Sequence, residues 1–360
     1  MAVVGGGVVG LAVARAVAEP SREVMVFERH GRLGMETSSR NSGVIHAGLY
    51  YPTGSLKAES CVAGRRMLYR FAADHGVDHA NTGKLVVATD AEEDAALEAL
   101  RARAGANGVE GLEWRSAGWL AREEPALVGV RALDVSVSGV VDAHGLIVAL
   151  AAAARDRGAR IARGLTIDSI EPSTDGWILG VGEDRVLARH VVNAAGLAAD
   201  RVAAMAGLDV DALGWRLHPW KGSYFALGGG APVPLRPLVY PLPALGGLGI
   251  HLTRDLAGQT LAGPDAEPAD SFRDLDVDES RADAFARSVG RYLPGVRAEH
   301  LRSGYAGLRP KRRADGTFSD FVLEERPSGL IHLLGIESPG LTAALALAAR
   351  VARLIDGRGA

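Results

Sequence analysis

Ala2-Val3-Val4-Gly5-Gly6-Gly7-Val8-Val9-Gly10 opens the chain, and the apolar stretch Leu11–Ala18 follows it. A short polar break leads to Val24-Met25-Val26-Phe27, which runs into Glu28. The order is strand, glycine turn, helix, strand and acid, which is G-x-G-x-x-G in the context that a βαβ unit requires. Gly5 permits the tight turn, Gly7 lets the backbone approach a pyrophosphate, and Gly10 allows close helix–strand packing. Free N–H groups at the start of the expected helix, Leu11–Ala18, attract phosphate oxygens, and Val8 and Val9 within the glycine turn are expected cofactor contacts. Glu28, with Arg29 beside it, stands where an acid accepts hydrogen bonds from ribose hydroxyls. The segment therefore reads as a dinucleotide cradle, and the motif alone suits FAD or NAD. The strand has only three residues before Gly5, which leaves room for native residues ahead of Met1.

Composition bounds the rest. Of 360 residues, 48% are hydrophobic and 23% charged, the balance of a globular protein long enough for two domains. A net charge of −3, with no basic stripe, argues against a nucleic-acid partner. Cys61 is the one cysteine, so neither an intramolecular disulfide nor a cysteine zinc site can form, which fits a reducing, cytoplasmic setting. No apolar run approaches the ~20 residues of a membrane helix, although peripheral membrane association stays open. Met1–Val4 reads as a strand rather than a signal peptide because Gly5 interrupts it. There is no G-x-S-x-G elbow, no H-E-x-x-H helix and no expectation of a metal.

A polar loop follows Glu28: Gly34-Met35-Glu36-Thr37-Ser38-Ser39-Arg40-Asn41-Ser42-Gly43. Its hydroxyls, small residues and single arginine suit an extended FAD, whose second phosphate, ribityl chain and flavin ring all need lining. Arg40-Asn41-Ser42-Gly43-Val44-Ile45-His46-Ala47-Gly48-Leu49-Tyr50-Tyr51, followed by Ser55-Leu56-Lys57-Ala58, resembles the D-amino-acid-oxidase-like FAD superfamily. Within it the likeness is greatest to the L-2-hydroxyglutarate dehydrogenase/oxidase branch, and it runs along most of the chain. The resemblance implies non-covalent FAD, with Thr37–Gly43 near pyrophosphate and flavin and His46 beside the flavin ring. The fold expected is α/β. A discontinuous Rossmann-like FAD domain would come from roughly 1–80, 140–212 and 302–360, and a sheet-rich substrate domain from roughly 81–139 and 213–301.

Two further segments complete the expected cofactor site. Arg189-His190-Val191-Val192-Asn193-Ala194-Ala195-Gly196 is an apolar strand entering a glycine turn, and by resemblance Ala195 and Gly196 pass close to the dinucleotide. Thr166–Ile170 reads as a strand, with Ile167 near the adenine by the same resemblance. Leu330–Leu334 reads as a strand and Gly335-Ile336-Glu337 as a turn. A final helix then runs to about Ile355, with Ser338 as N-cap and Pro339 in its first position. Gly340 has no side chain to block a ligand, and the N–H groups of Gly340, Leu341 and Thr342 lack helical acceptors. Aimed at a flavin, that positive helix end would stabilise the charge of the reduced ring.

On the substrate side, Gly247–Thr253 reads as a strand with Gly247, Gly249, His251 and Thr253 on one face. A neutral His251 can take a hydroxyl proton, or it can be a structural histidine. In Leu301–Pro310 alternation places Tyr305, Gly307 and Arg309 together, and Arg309 suits a bidentate carboxylate clamp. Gly307-Leu308-Arg309-Pro310 also resembles the superfamily's G-[LI]-R-P segment. Lys221, in Trp220–Phe225, reads as a second anion contact, as an oxygen-activating cation or as structural, and Tyr240 as a hydroxyl donor or as structural. Lys311-Arg312-Arg313 reads as solvated surface and Asp90–Glu98 as a solvated acidic helix.

The resemblance thus implies oxidation of a small 2-hydroxy acid, L-2-hydroxyglutarate to 2-oxoglutarate. Arg309 would hold the carboxylate, and His251 or His46 would act as base. Electrons would pass to oxygen or to a quinone-linked acceptor. Two features depart from the branch near this site: Ser223, where many relatives carry an acid, and the turn Gly335-Ile336-Glu337-Ser338-Pro339-Gly340. An amino-acid or secondary-amine oxidase is the alternative, and a flavin-binding module without turnover is a third reading.

Overall fold

The structure, a computed structural model, describes residues 1–234, 238–242 and 249–357. The opening strand Ala2–Val4 lies inside a six-stranded sheet, paired in parallel with Val191–Asn193 on one side and Met25–Glu28 on the other. Arg160–Arg163 and Leu330–Leu334 extend the parallel ladder, and Val322–Glu325 closes one edge antiparallel. A strand covered on both faces needs an unbroken apolar run, and the central strand Ala2–Val4 has one, as do Met25–Phe27 and Val191–Val192 beside it. Val3, Val26, Val192 and Ile331 pack against the helices Val8–Val17, Ala143–Asp156 and Gly340–Ile355. Their neighbours Ala2, Val4 and Phe27 pack the opposite way, onto Trp177 and Leu179 of an antiparallel three-stranded meander, Ser169–Ser173, Gly176–Val181 and Asp184–Ala188.

The helix Leu56–Asp74 is capped by Ser55, whose side chain accepts from Ala58 N at 3.2 Å. It crosses the final helix at Gly64, where a Cβ would lie 2.3 Å from the carbonyl oxygen of Thr342. Beyond it stands a nine-stranded mixed sheet. Its longest ladder is the antiparallel pair His218–Leu227 and Leu301–Lys311 at one side, and Leu85–Ala88 joins Leu238–Pro241 in parallel. A small sheet of Val44–Ile45, Gly139–Val141 and His79–Ala80 lies along the chain segments that link the two.

Several expectations need correction. The first helix begins at Val8, within the glycine motif. Thr166 and Ile167 precede the meander strand, which starts at Ser169 where antiparallel pairing begins. Gly247 and Leu248 lie outside the described residues. Of the rest of that segment, only Leu252–Arg254 is a strand, and Gly249–His251 is irregular. The last helix starts at Gly340 with Pro339 as its cap, so Ser338 is not the N-cap. A division at 302 cuts through the strand Leu301–Lys311, which is bonded along its length to His218–Leu227. Lys311 is half-buried rather than free surface: it lies 4.6 Å above the Trp220 ring and donates to Gly316 O at 2.7 Å. Arg312 is also half-buried, and only Arg313 of that run is exposed. The acidic segment forms the start of the helix Ala91–Ala106, with Asp94 and Glu98 bound to Arg131.

Candidate active site

One continuous cavity of about 1050 Å³ runs between the two large sheets. Gly5, Gly7, Val8 and Val9 line it, as do Gly340 and Leu341 from the other end of the chain. Ala195, Gly196 and Ile167 meet it beside Glu28 and Arg29. Gly10 stays outside the cavity because its task is packing: a Cβ there would lie 2.0 Å from Gly5 O.

The glycine turn is prepared for an anion. Val8 N donates to Ser38 Oγ at 3.1 Å, whereas Gly7 and Val9 N–H take no acceptor among the described residues. Glu28 is held at its strand end by the N–H groups of Gly6 and His30, each at 2.8 Å. Arg29 pairs with Glu36 next to it. The buried carboxylate at the strand end, the open N–H pair and the length of the cavity fit an extended dinucleotide.

The polar loop is bolted to the strand that carries Arg309. Thr37 Oγ1 donates to Leu308 O at 3.1 Å, Arg40 to Ala306 O at 3.3 Å, and Tyr305 OH to Asn41 O at 2.8 Å. Gly307 permits this contact, since a Cβ would stand 2.1 Å from Arg40 O. Thr37, Ser38, Arg40, Asn41, Ser42 and Gly307 therefore line the cavity. Gly43 does not: at φ 63° it closes the loop, and its N–H binds Asn41 Oδ1. Gly335 also stands apart from the wall, packed on Arg312 at φ 66°.

At the far end, His46, His251 and Arg309 face the same space as Gly340. His46 is held on three sides: its N–H donates to Thr342 Oγ1 at 3.0 Å, its Nε2 lies 3.1 Å from Ser338 Oγ, and its carbonyl accepts from Cys61 Sγ at 3.4 Å. Its Nδ1 is buried and has no partner among the described residues. Ser338 thus binds the histidine instead of capping the helix. Thr342 uses its hydroxyl on His46 N and Val44 O and does not reach the cavity. Gly340 N donates to Glu337 O at 2.6 Å, so the open N–H groups of this helix are those of Leu341 and Thr342.

His251 Nδ1 meets Gly249 O at 3.2 Å, and a carbonyl accepts only from N–H, so Nδ1 carries the hydrogen and Nε2 the lone pair. Burial pushes His251 down to about 3, with Lys84 and Arg309 acting in the same direction. Burial, then Lys84 and His251, hold His46 well below the ordinary histidine range. Both imidazoles are neutral at working pH. Arg309 donates to the carbonyl of Asp265 at 3.2 Å, beside the cavity. The Asp265 carboxylate accepts from Ser223 N at 2.7 Å and pairs with Arg281 at 2.8 Å. Burial nevertheless raises its pKa.

Three expected substrate contacts do not reach the cavity. Lys221 points away from it, bound to Asp274 at 2.9 Å and Glu267 at 3.7 Å. The alternation of its strand sends Lys221 to the opposite face from Trp220 and Gly222, which do line the space. Tyr305 is spent on Asn41 and stacks on Tyr224 with centroids 4.6 Å apart. Tyr240 backs onto His251 at 3.8 Å, its rings nearly parallel, and does not touch the cavity. Sequence reasoning missed Asp265 and Lys84. A charged residue set directly before the apolar strand Leu85–Ala88 was the available signal for Lys84.

Comparison with known proteins agrees with this geometry. The chain is 35% identical to the L-2-hydroxyglutarate dehydrogenase, mitochondrial, of Arabidopsis thaliana, across 97% of this chain and 82% of that protein. It is 29% identical to L-2-hydroxyglutarate dehydrogenase of Escherichia coli (strain K12), across 97% and 91%. Among solved structures, dithionite-reduced L-alpha-glycerophosphate oxidase from Mycoplasma pneumoniae, with FAD bound, superposes with a TM-score of 0.88 at 25% identity, covering 99% of this chain and 94% of that one. Glycine oxidase from Geobacillus kaustophilus superposes at 0.82 with 24% identity, covering 100% and 94%. The profile described as FAD dependent oxidoreductase matches residues 1–354, and the chain belongs to that family of FAD-dependent enzymes.

Proposed function

We propose that the protein oxidises L-2-hydroxyglutarate to 2-oxoglutarate. The observation that carries this reading is one cavity end holding a guanidinium, Arg309, and two neutral imidazoles, His251 and His46. The similarity to L-2-hydroxyglutarate dehydrogenases along nearly the whole chain supports the choice of substrate. The six-stranded sheet and its helices serve as the cofactor half and the nine-stranded sheet as the substrate half. The segments that would hold FAD are Gly5–Val9, Glu28, the Thr37–Ser42 loop, Ala195–Gly196 and the start of the last helix, which line the one cavity. When bound, FAD supplies the two-electron acceptor for the carbon–hydrogen bond that breaks.

Arg309 grips the α-carboxylate through two parallel N–H bonds and so fixes which hydrogen faces the cofactor. His251 takes the hydroxyl proton on Nε2 while the carbon hydrogen departs with its electron pair, leaving the ketone. Gly249 O holds the ring in the tautomer that this step needs. His46, pinned between Ser338 and Thr342, shapes the opposite wall and is the second candidate base. Arg281 and Ser223 N engage the Asp265 carboxylate, which limits its repulsion of an anionic substrate. The electrons leave to oxygen or a quinone-linked carrier. A reducing compartment such as cytoplasm suits the buried, unpaired Cys61.

Anaerobic addition of L-2-hydroxyglutarate to flavin-loaded protein should bleach the visible flavin band. D-2-hydroxyglutarate, L-glycerol 3-phosphate, glycine and L-proline should leave it unchanged. Bleaching by an amine, with ammonia or amine release, replaces this reading with an amine oxidase. A flavin that no member of the panel reduces leaves a binding module.

A further inference from the structure

Lys84 enters the protein interior directly ahead of Leu85–Ala88 and is 0% exposed. Its Nζ has no hydrogen-bond partner among the described residues. Two rings approach it instead: Tyr240, with its centroid 3.9 Å away, and Tyr50, at 5.5 Å. The Tyr240 ring stacks on His251 with centroids 3.8 Å apart and planes 12° from parallel. The imidazole covers one face of the phenol, so the ammonium stands against the other. Lys84, Tyr240 and His251 thus form a stack that ends at the cavity wall. An ammonium buried without a counter-ion is costly to the fold, and such groups concentrate at functional sites.

Two charged groups act electrostatically on His251: Lys84, behind Tyr240, and Arg309, which lines the same cavity; both oppose a proton, and Lys84 and His251 act on His46 in the same direction. The Gly249 carbonyl binds its Nδ1. Around Lys84 itself are Tyr240, Tyr50 and Cys61, and Cys61 is neutral because burial raises its thiol pKa.

We propose that Lys84 is a positioning residue for the oxidation, on the reading above that His251 is the base: acting through the Tyr240 ring, its ammonium adds to burial in weakening the hold of the imidazole on a proton. The same charge disfavours a retained imidazolium after the hydroxyl proton arrives and so promotes its release. The two stacking distances bring Lys84 within ~8 Å of the imidazole, where a unit charge at an effective dielectric of ~20 moves a protonation midpoint by ~1.5 pH units.

The test uses flavin-loaded protein carrying 15N-histidine, with His251 resonances assigned by their loss in H251N. At pH 5 the wild-type ring should remain neutral. K84M and K84Q should each show an imidazolium population of roughly a quarter, the ~1.5-unit shift read at that pH. The acid limb of anaerobic flavin reduction by L-2-hydroxyglutarate should move upward by the same interval. A lysine with a purely structural role would lower the rate at every pH and leave the limb in place. Wild-type protein offers a check that needs no variant: His251 shifts should inflect where Lys84 titrates, about 7. An unmoved His251 midpoint in both variants, or no wild-type inflection, overturns the proposal. A midpoint that moves while the acid limb stays fixed removes His251 as base and with it the catalytic use of Lys84.

Discussion

Replacing Lys84 by methionine should stabilise the folded protein at neutral pH and lose that advantage in alkali. Burial lowers the Lys84 pKa from 10.5 to about 7. Between those values the unfolded chain holds a proton that the folded chain has released, so wild-type stability rises with pH across that interval. Below pH 7 both states are charged, and the folded state bears the full penalty. At ~1.4 kcal/mol per pH unit, the difference amounts to ~5 kcal/mol below the folded pKa and ~4 kcal/mol at pH 7, upper values because water and protein relax around a buried ammonium. Methionine keeps an unbranched chain of similar reach and removes the charge. Urea unfolding of flavin-loaded wild type and K84M, at equal flavin concentration, should place K84M well ahead at pH 6. The gap should close as pH approaches 10.5. A gap that does not change with pH, or a K84M protein less stable at pH 6, would show that Lys84 is not an uncompensated buried amine. Reduced turnover in the same variant would reveal a residue kept for chemistry at the expense of stability.

Other consequences follow from particular contacts. In Gly10→Ala the new Cβ would lie 2.0 Å from Gly5 O, so the helix Val8–Val17 must withdraw by ~1 Å at a cost of ~1–3 kcal/mol. Fluorescence titration should then show flavin affinity reduced at least ~10-fold. Arg309→Met should lower the second-order rate of anaerobic flavin reduction by ~100-fold or more, and Arg309→Lys should recover only part of that loss, because lysine cannot form two parallel bonds to one carboxylate. His251→Asn should slow reduction by ~10²–10⁴-fold, the usual worth of a general base. Because burial holds His251 near 3, the wild-type rate should be flat from pH 5 to 6, whereas an ordinary histidine base would lose activity there.

Much of the cofactor half was legible along the chain. Strand, glycine turn, helix and acid are neighbours in Ala2–Glu28, and each leaves a local mark in apolar runs, glycines or charge. The placement of Arg309 on the cavity wall was legible too, since strand alternation alone assigns it to the face of Gly307. Strand ends were harder to read: they depend on where a partner's ladder starts, as at Ser169, or on whether the chain stays irregular, as at Gly249–His251. Lys221 could not be resolved within its own segment, because the acids that claim it, Asp274 and Glu267, lie beyond an intervening stretch of sheet.

What the amino-acid order determined by itself was a dinucleotide βαβ unit, a polar loop suited to FAD, and a final helix with open N–H groups. These depend on backbone geometry and side-chain type over a few consecutive residues. Tertiary structure alone decided that these segments share one cavity, that Ser338 serves His46 rather than the helix, and that Lys84 stands behind Tyr240. The last depends on parallel pairing of Leu85–Ala88 with Leu238–Pro241, which shuts water out around a charge that sequence alone would leave in solvent.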